Sequence, residues 1–363
     1  MTTPQAKFAG LALIAALCAG PILVLTACSD ERARTGAETP PAEADFNAGV
    51  TAYKQGDYAT AHREWRPLAA RDHVAAQANL GFMYEKGEGV SQDYTEAERW
   101  YRKAAVQNYA MAQANLGRMY ETGEGVSQDY TEAERWYRKA AAQGYAMAQN
   151  NLGLMYEKGE GVSRDYAEAV RWHRKAAEQG YASAQYNLGL LYEQGRGVAQ
   201  DYAEAVRWYR KAAEQGIASA QNNLGVGYSK AQGVPQDYTQ AERWYREAAA
   251  QNHAAAQANL GFMYYNGEGV PQDYAEAVRW YRKAAEQGYA RAQVVLGTMY
   301  ELGRDVPHDH VQAHTWFNLA ASSFPPGNDR DKAVEHRDIV AATMTPAQMT
   351  EAQKLAREWK PKK

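Results

Sequence analysis

The chain repeats itself every 36 residues, and this period constrains its fold more than any other feature. The segment ANLGFMYEKGEGVSQDYTEAERWYRKAA at residues 78–105 returns almost unchanged at 114–141. Leu-Gly pairs mark the copies at Leu80-Gly81, Leu116-Gly117, Leu152-Gly153, Leu188-Gly189, Leu224-Gly225, Leu260-Gly261 and Leu296-Gly297. A fixed period of this length is typical of stacked supersecondary units, each of which buries its apolar face only against its neighbours.

The first half of each unit has the pattern of a helix with one apolar face. In residues 74–86, apolar side chains recur at helical spacing, at Ala76, Leu80, Met83 and Tyr84. Gly81 lies on the same face, although glycine inside a helix costs about 1 kcal/mol relative to alanine. Its return in every unit predicts the close approach of a neighbouring helix. Gly87 follows, and it is suited to the left-handed conformation that ends a helix.

The second half of each unit begins with a helix-capping pattern. Asp93 and Glu96 form an Asp-x-x-Glu variant of the capping box, in which the carboxylate accepts bonds from free backbone N–H groups. An apolar stripe follows at Tyr94, Ala97, Trp100, Tyr101, Ala104 and Ala105. Asn108 ends this helix, and later units have glycine or asparagine there, the residues that best accept a left-handed cap. Each unit is therefore predicted to be a helical hairpin.

The recurring tryptophans are either core residues or stacking platforms, and their spacing favours the core.

The pattern A-x-x-x-L-G-x-x-Y-x-x-G-x-G-V-x-x-D-x-x-x-A-x-x-W-x-x-K-A-A resembles the Sel1-like repeat, a relative of the tetratricopeptide repeat. The resemblance implies an all-α fold: an α-solenoid of helix–turn–helix units, curved into a right-handed superhelix, that binds other proteins in its concave groove. Three positions depart from the pattern. Gly227 replaces a methionine, Ala231 replaces the first loop glycine, and Asp305 replaces the second.

The ends of the array differ from its middle. We expect residues 46–72 to form a shortened N-terminal repeat, in which Trp65 is one residue out of register. Residues 73–321 hold seven full repeats, and residues 322–363 form a C-terminal helical cap. In that cap we expect a helix at about 329–343, and a second one that begins with a capping box at Thr345 and ends near Trp359.

The N-terminus has the pattern of a secreted lipoprotein. Residues 1–27 contain one early cation and then an apolar run that ends in Leu-Thr-Ala, which is typical of a signal peptide. With the following Cys28 this ending resembles a bacterial lipobox, and the resemblance implies an acylated Cys28. Residues 28–45 contain few large apolar side chains, which predicts a disordered tether. An uncleaved membrane anchor and an ordinary signal peptide are the alternatives. The residue after Cys28 is Ser29 rather than aspartate. By resemblance to enterobacterial lipoproteins, this implies that the protein is exported to the outer membrane and faces the periplasm.

Few residues have the spacing that catalysis or metal binding needs. The sequence has no Gly-x-Ser-x-Gly, Walker loop or His-Glu-x-x-His, so we predict no enzyme and no cofactor. The Gly-Glu-Gly-Val loops are interpreted as helix-ending turns rather than phosphate sites. His308, His310 and His314 either share a metal ion or lie on a solvated face. The second alternative is supported by His314, which occupies the same repeat position as Glu98, a position expected to face outward. With a net charge of -3 and no basic stripe, nucleic acid is not an expected partner.

Comparison of the repeats with one another indicates where a partner binds. Some first-helix positions vary although the rest of the unit hardly changes, and in tetratricopeptide proteins such positions line the concave surface. The variation reflects either partner binding or drift at exposed sites. Large apolar residues are unusual on a neutral surface and favour binding. The candidate groove residues are Ala78, Phe82, Lys86, Arg118, Asn150, Leu154, Tyr186, Leu190, Asn222, Phe262, Tyr265 and Asn266.

The resemblance and the N-terminus together predict a membrane-tethered scaffold of the cell envelope that binds protein or peptide partners. An envelope protein that binds peptidoglycan or another glycan is the first alternative. The second is weak β-lactamase activity, which is associated with cysteine-rich relatives of the family. Those relatives carry cysteine pairs in their repeats, whereas this chain has only Cys18 and Cys28 and lacks a Ser-x-x-Lys motif.

Overall fold

A computed structural model describes residues 41–362 of the chain, with side chains described from residue 46. Over this range the chain forms 18 α-helices. The signal peptide, Cys28 and the tether up to residue 40 lie outside the described residues. The helices divide into two compact units, and the division falls within one helix, between Ala184 and Gln185.

The first unit contains α1 (Pro41–Lys54), α2 (Tyr58–Ala70), α3 (Val74–Lys86), α4 (Tyr94–Val106), α5 (Ala110–Thr122), α6 (Tyr130–Ala142), α7 (Ala146–Lys158) and α8 (Tyr166–Glu178). Helix α9 (Ala182–Gln194) contains the division. The second unit contains α10 (Tyr202–Glu214), α11 (Ala218–Ser229), α12 (Tyr238–Ala250), α13 (Ala254–Asn266), α14 (Tyr274–Glu286), α15 (Ala290–Leu302), α16 (His310–Ser323), α17 (Asn328–Ala341) and α18 (Pro346–Glu358). The predicted α-solenoid of consecutive hairpins is confirmed.

The repeated glycine allows the two helices of a hairpin to pack closely. A Cβ atom at Gly81 on α3 would lie 2.7 Å from Cδ1 of Tyr101 on α4. At Gly117 the corresponding distance to Tyr137 is 2.8 Å. Atoms cannot approach so closely, so the tyrosine ring fits only against a residue without a side chain. The predicted close approach is confirmed, and its partner is the ring from the second helix of the same repeat.

The second helix of each repeat begins with half of the predicted capping box. One oxygen of Asp93 accepts hydrogen bonds from the backbone N–H of Thr95 at 2.9 Å and of Glu96 at 3.0 Å. The backbone N–H of Asp93 donates to the Tyr84 carbonyl at 2.9 Å, and the Glu96 carboxylate pairs with Arg99 at 3.1 Å. The reciprocal half of the box is therefore absent, because the preceding helix already satisfies the Asp93 donor.

Left-handed residues end the helices as predicted. Gly87 has a φ of 71° and Asn108 a φ of 65°. Ala231 and Asp305, which replace loop glycines, keep the left-handed conformation with φ of 55° each. A left-handed backbone costs a non-glycine residue about 1–2 kcal/mol. The fold thus absorbs both departures with local strain in the backbone.

The recurring tryptophans pack on the core side of the second helices. Four of them are buried, namely Trp136, Trp208, Trp244 and Trp316, and Trp100, Trp172 and Trp280 are partly buried. Lysine ammonium groups cover several of the rings, as at Trp100, where Lys103 Nζ lies 4.4 Å from the ring centroid. This burial confirms the core interpretation over the stacking-platform interpretation.

The N-terminal repeat differs from the expectation in two respects. Helix α1 begins at Pro41, inside the segment 28–45 that was predicted to be a disordered tether, because proline suits a first helical position and Ala-Glu-Ala follows it. Trp65 is fully buried and its ring lies against Gly49, where a Cβ atom would lie 2.6 Å from Trp65 Cδ1. Trp65 therefore occupies the place that Tyr101 has in the next repeat, which explains its shifted register.

The C-terminal segment folds back on the last repeats. The capping box of α18 is complete, with Thr345 and Gln348 exchanging their bonds. Ala356 and Trp359 pack against the apolar cluster that contains Trp316 and Leu319. The backbone N–H of Lys362 also donates to the Glu286 carbonyl at 2.8 Å. These contacts cover apolar surface at the end of the array.

Candidate functional site

Several of the predicted groove residues are buried rather than displayed. Ala78 has no exposed surface, and the Phe82 ring lies edge-on to Tyr53 with centroids 6.4 Å apart. Asn150 and Asn222 are also buried. The prediction that these four side chains face a partner is wrong for the free chain, because neighbouring helices already cover them.

Two of these amides bond to neighbouring side chains. Asn150 Oδ1 lies 3.1 Å from Nδ1 of the fully buried His173. Nε2 of the same ring lies 2.7 Å from Glu157 Oε1. Asn222 Oδ1 accepts a bond from Asn259 Nδ2 at 3.0 Å. His173 occupies the repeat position that holds Tyr101 in the first full repeat. This substitution is visible in the sequence only when the repeats are compared with one another. The variation at these positions therefore reflects internal packing.

Arg118 is held inside an ion-pair network. Its guanidinium lies 2.6 Å from Glu85 and 2.6 Å from Glu124. The Tyr101 hydroxyl donates to Glu85 at 3.0 Å. Burial raises the pKa of the Glu85 carboxyl, against the opposing effect of Arg118 and Tyr101. Lys86 is exposed beside this network, with Nζ 3.8 Å from Glu85. Arg118 therefore joins two repeats and presents little surface to a partner.

The remaining predicted residues are at least partly accessible. Tyr186 is partly buried, and its ring centroid lies 5.9 Å from that of Tyr209. Leu154 and Leu190 are partly buried as well. Phe262 is 51% exposed, and Asn266 is exposed beside the partly buried Tyr265. Only the last three residues share one surface.

This surface, the α13–α15 patch, consists of Phe262, Tyr265, Asn266, Tyr274, Leu302 and Arg304. The Tyr265 and Tyr274 rings meet with centroids 5.1 Å apart, and Arg304 Nη1 donates to the Tyr265 hydroxyl at 2.6 Å. Leu302 is 52% exposed and Tyr274 is 37% exposed. The patch contains three of the five large apolar residues that are exposed among the described residues.

Phe262 is exposed because the covering residue of the preceding repeat is small. Phe82 and Phe262 occupy the same position five repeats apart, and Phe82 is only 8% exposed under Tyr53. The position that corresponds to Tyr53 in the repeat before Phe262 holds Ser229. Serine leaves the phenylalanine ring uncovered where tyrosine would shield it.

Tyr274 is exposed because a loop glycine is missing. In other repeats this glycine lies against the start of the preceding second helix, and a Cβ atom at Gly269 would lie 2.6 Å from Tyr238 Cβ. Asp305 occupies the position of this glycine in the next repeat, and Tyr274 the position of Tyr238. Because Asp305 carries a Cβ atom, its backbone cannot approach Tyr274 as closely as Gly269 approaches Tyr238. The departure noted in the sequence thus opens one side of the patch.

The charge beside the patch tyrosine is opposite to the charge beside the corresponding tyrosine of the N-terminal repeat, Tyr53. There, the Tyr53 hydroxyl donates to Glu88 at 2.5 Å. In the α13–α15 patch, the corresponding Tyr265 hydroxyl accepts from Arg304. The apolar surface therefore has a cation at its edge, where the N-terminal repeat has a carboxylate.

The three C-terminal histidines do not converge. His308 Nε2 and His310 Nε2 lie 3.0 Å apart. His314 is buried, and Arg337 and Asp338 of α17 influence its pKa, which burial lowers. The expected outward position of His314 is wrong, because α17 covers this face of α16. Within residues 41–362 no group of three or more His, Cys, Asp and Glu residues is arranged to hold a metal ion.

A family model matches the repeats one by one. The Sel1 repeat model matches residues 74–109, 110–145, 146–181, 182–217, 218–253, 254–289 and 290–323. The chain belongs to the Sel1 repeat family. Its α13–α15 patch lies on the sixth and seventh Sel1 repeats.

Solved structures of similar Sel1 repeat proteins cover most of the chain. A protective antigen of uropathogenic Escherichia coli with this fold is 31% identical, with a TM-score of 0.53 over 88% of this chain and 91% of the antigen. A Sel1 repeat protein from Oxalobacter formigenes is 38% identical, with a TM-score of 0.60 over 66% of this chain and 96% of that protein. No curated protein matches the chain. In the described part of the chain, no helix combines the length and apolarity required to cross a membrane.

Proposed function

We propose that this Sel1 repeat protein is a membrane-tethered, non-catalytic scaffold of the bacterial cell envelope that binds a protein partner at the α13–α15 patch. Sel1 repeat solenoids typically serve as scaffolds for protein interactions. The exposure of Phe262 and Leu302 on neighbouring repeats carries the proposal. Exposed apolar side chains grouped on neighbouring repeats mark sites of protein association.

The chemistry of the patch defines the partner segment. Phe262, Tyr274 and Leu302 offer apolar surface, which favours an apolar side chain as the anchor. Arg304 lies at the edge and is exposed, and a guanidinium pairs well with a carboxylate. The partner segment therefore combines an apolar anchor with a neighbouring Asp or Glu.

A crosslinked pull-down from solubilised envelope tests this proposal. The bait is the wild type beside Phe262→Ser/Leu302→Ser, and the matched control is Val106→Ser/Ile339→Ser, which changes two exposed apolar residues elsewhere. We expect a partner that the patch variant loses and the control retains. Arg304→Gln should weaken its capture. Equal recovery by all baits would overturn the patch assignment.

The proposed tether starts at Cys28, which lies outside the described residues. The lipobox-like ending of the apolar segment supports acylation there, and Ser29 supports export to the outer membrane, with the repeats facing the periplasm. Cys28→Ala should block acylation and move the protein out of the membrane fraction. Retention of the variant with membranes would contradict the lipoprotein assignment.

Glycan binding is a second candidate, because the patch exposes both the Tyr274 ring and the amide of Asn266. Aromatic rings and amides suit sugar recognition, but Phe262 and Leu302 offer no polar group to a sugar. Sedimentation with purified sacculi separates the two ligands: co-pelleting that the Phe262→Ser/Leu302→Ser variant retains would favour the glycan. Nitrocefin hydrolysis by the purified protein would support the catalytic alternative.

A further inference from the structure

We infer that α2 carries a binding site for the phosphate group of an anionic lipid, formed by His62, Arg63 and Arg66. The inference rests in part on the proposed tethering at Cys28, which brings α2 near a membrane. The three side chains, together with Pro67 and Ala70, lie along one face of α2 and line an open depression of its surface. Each of the three can donate hydrogen bonds to a phosphate oxygen.

Comparison with the next repeats shows that a carboxylate is missing at this site. In the first full repeat, Arg102 donates to Glu98 at 2.5 Å and to the Tyr120 hydroxyl at 2.6 Å. In the following one, Arg138 donates to Glu134 at 2.6 Å and to Tyr156 at 2.9 Å. These pairs neutralise the arginine on the protein surface.

The N-terminal repeat has the same constellation with histidine in place of glutamate. The corresponding residues are His62, Arg66 and Tyr84, and the His62 and Tyr84 ring centroids lie 5.8 Å apart. None of the ion pairs among the described residues includes Arg66. In the N-terminal repeat an imidazole takes the place of this carboxylate, as valine does at Val170, Val206 and Val278 in later repeats. Arg66 thus lacks a carboxylate partner, which favours an external anion.

Two further observations concern His62 and Arg63. The Nε2 atom of His62 is buried and has no hydrogen-bond partner, and such a group costs about 1–3 kcal/mol until it is satisfied. Burial and the Arg66 charge lower the pKa of His62, so a neutral imidazole lies beside the two guanidinium groups. Arg63 is 70% exposed and has two long contacts, 3.3 Å to the Thr60 hydroxyl and 3.4 Å to Glu64, so it can turn to an anion.

The position of α2 in the chain favours a lipid as the source of the phosphate. Twelve residues separate Cys28 from Pro41, and the thirteen steps between the two Cα atoms span at most about 43–47 Å. The first hairpin therefore stays close to any bilayer that holds an acylated Cys28. A basic surface next to a lipid anchor adds a second membrane contact.

Vesicle sedimentation tests the site separately from acylation. The protein is a chain that begins at Cys28 and is not acylated, which keeps every described helix. Vesicles contain phosphatidylglycerol mixed with phosphatidylcholine, or phosphatidylcholine alone. We expect preferential binding to the anionic vesicles. Arg63→Gln/Arg66→Gln should reduce it roughly 25-fold, at about fivefold for each arginine near the surface.

The control is Arg135→Gln/Arg207→Gln, which removes the same charge at exposed arginines, each paired with a glutamate at 3.1 Å. This control should bind like the wild type. Equal loss in both variants, equal binding to neutral vesicles, or no vesicle binding would overturn the inference. Saturable binding of inorganic phosphate without vesicle binding would assign the site to a free anion. Because the chain is not acylated, failure here leaves the Cys28 proposal standing.

Discussion

Gln107 Nε2 donates a hydrogen bond to Gln77 Oε1 at 2.7 Å and so ties the end of α4 to the start of α3. Gln77 Nε2 in turn donates to the Ala69 carbonyl on α2 at 3.1 Å. One buried amide therefore links three helices of two successive repeats. The pair recurs in the first unit as Gln143–Gln113 and Gln179–Gln149, and in the second as Gln215–Gln185, Gln251–Gln221 and Gln287–Gln257.

Gln149→Ala should destabilise the first unit. Gln149 donates to the Ala141 carbonyl at 3.2 Å and accepts from Gln179 at 2.7 Å. The substitution therefore removes two hydrogen bonds that join these helices, although the Ala141 carbonyl keeps its bond from the Gly144 N–H. We expect a loss of about 1–3 kcal/mol, measured by thermal unfolding, with faster hydrogen exchange in peptides around 141–155. Gln128→Ala, at an exposed glutamine, is the control and should lose less. Equal losses would contradict a structural role for the buried amides.

Gly117→Ala should also destabilise the protein, although alanine is the better helix former. The new methyl group would lie 2.8 Å from the Tyr137 ring, and overpacking of this kind costs about 1–3 kcal/mol. The double variant Gly117→Ala/Tyr137→Leu removes the ring and should recover part of the loss. Unchanged stability in Gly117→Ala would mean that the hairpin opens without cost.

Gly227→Met should stabilise the second unit. Gly227 lies beside a cavity of about 30 Å³ lined by Val206, Tyr209 and Asn223 among others. A Cβ atom at Gly227 would lie 3.0 Å from Val206 Cγ2, so Val206 has to shift slightly. Met299 fills the corresponding place in another repeat and shares a core cluster with Val278, so a valine at this position can accept a methionine. Replacing a helical glycine alone gains about 1 kcal/mol. Chemical unfolding measures the change, and a lower midpoint would contradict it.

His314→Val should make stability less sensitive to acid. Burial, aided by the Arg337 charge, lowers the pKa of His314 in the folded chain below its usual value near 6.5. The unfolded chain then binds the proton more readily, so this contribution to stability is present above about pH 6.5 and is lost as the pH falls through the folded pKa.

Melting temperatures measured from pH 7.5 down to 5 test this sign. The wild type should lose more stability than His314→Val, whose valine copies the residue at Val278. His308→Gln changes an exposed histidine and should follow the wild type. A steeper acid loss in His314→Val than in the wild type would reverse the assignment.

Local chemistry made most of the repeat predictable. Asp93 caps a helix because its carboxylate reaches the next N–H groups, and Gly87 and Asn108 end helices because they accept positive φ. These effects depend on residues close in the chain. The predicted capping box forms only in part, because the Asp93 N–H donates to the Tyr84 carbonyl across the loop instead of to a glutamate side chain. The buried glutamine pairs gave no sequence signal, since a polar residue at a helix end normally indicates solvent.

The sequence by itself determined the seven-fold repetition, the hairpin unit and the helix ends, because these follow from periodicity and short-range hydrogen bonding. Only the tertiary structure decided which variable residues are accessible. Phe82 and Phe262 are the same residue at the same repeat position, yet one is 8% and the other 51% exposed. Exposure is set by the side chain that a neighbouring repeat places over the position, Tyr53 in one case and Ser229 at the corresponding position in the other.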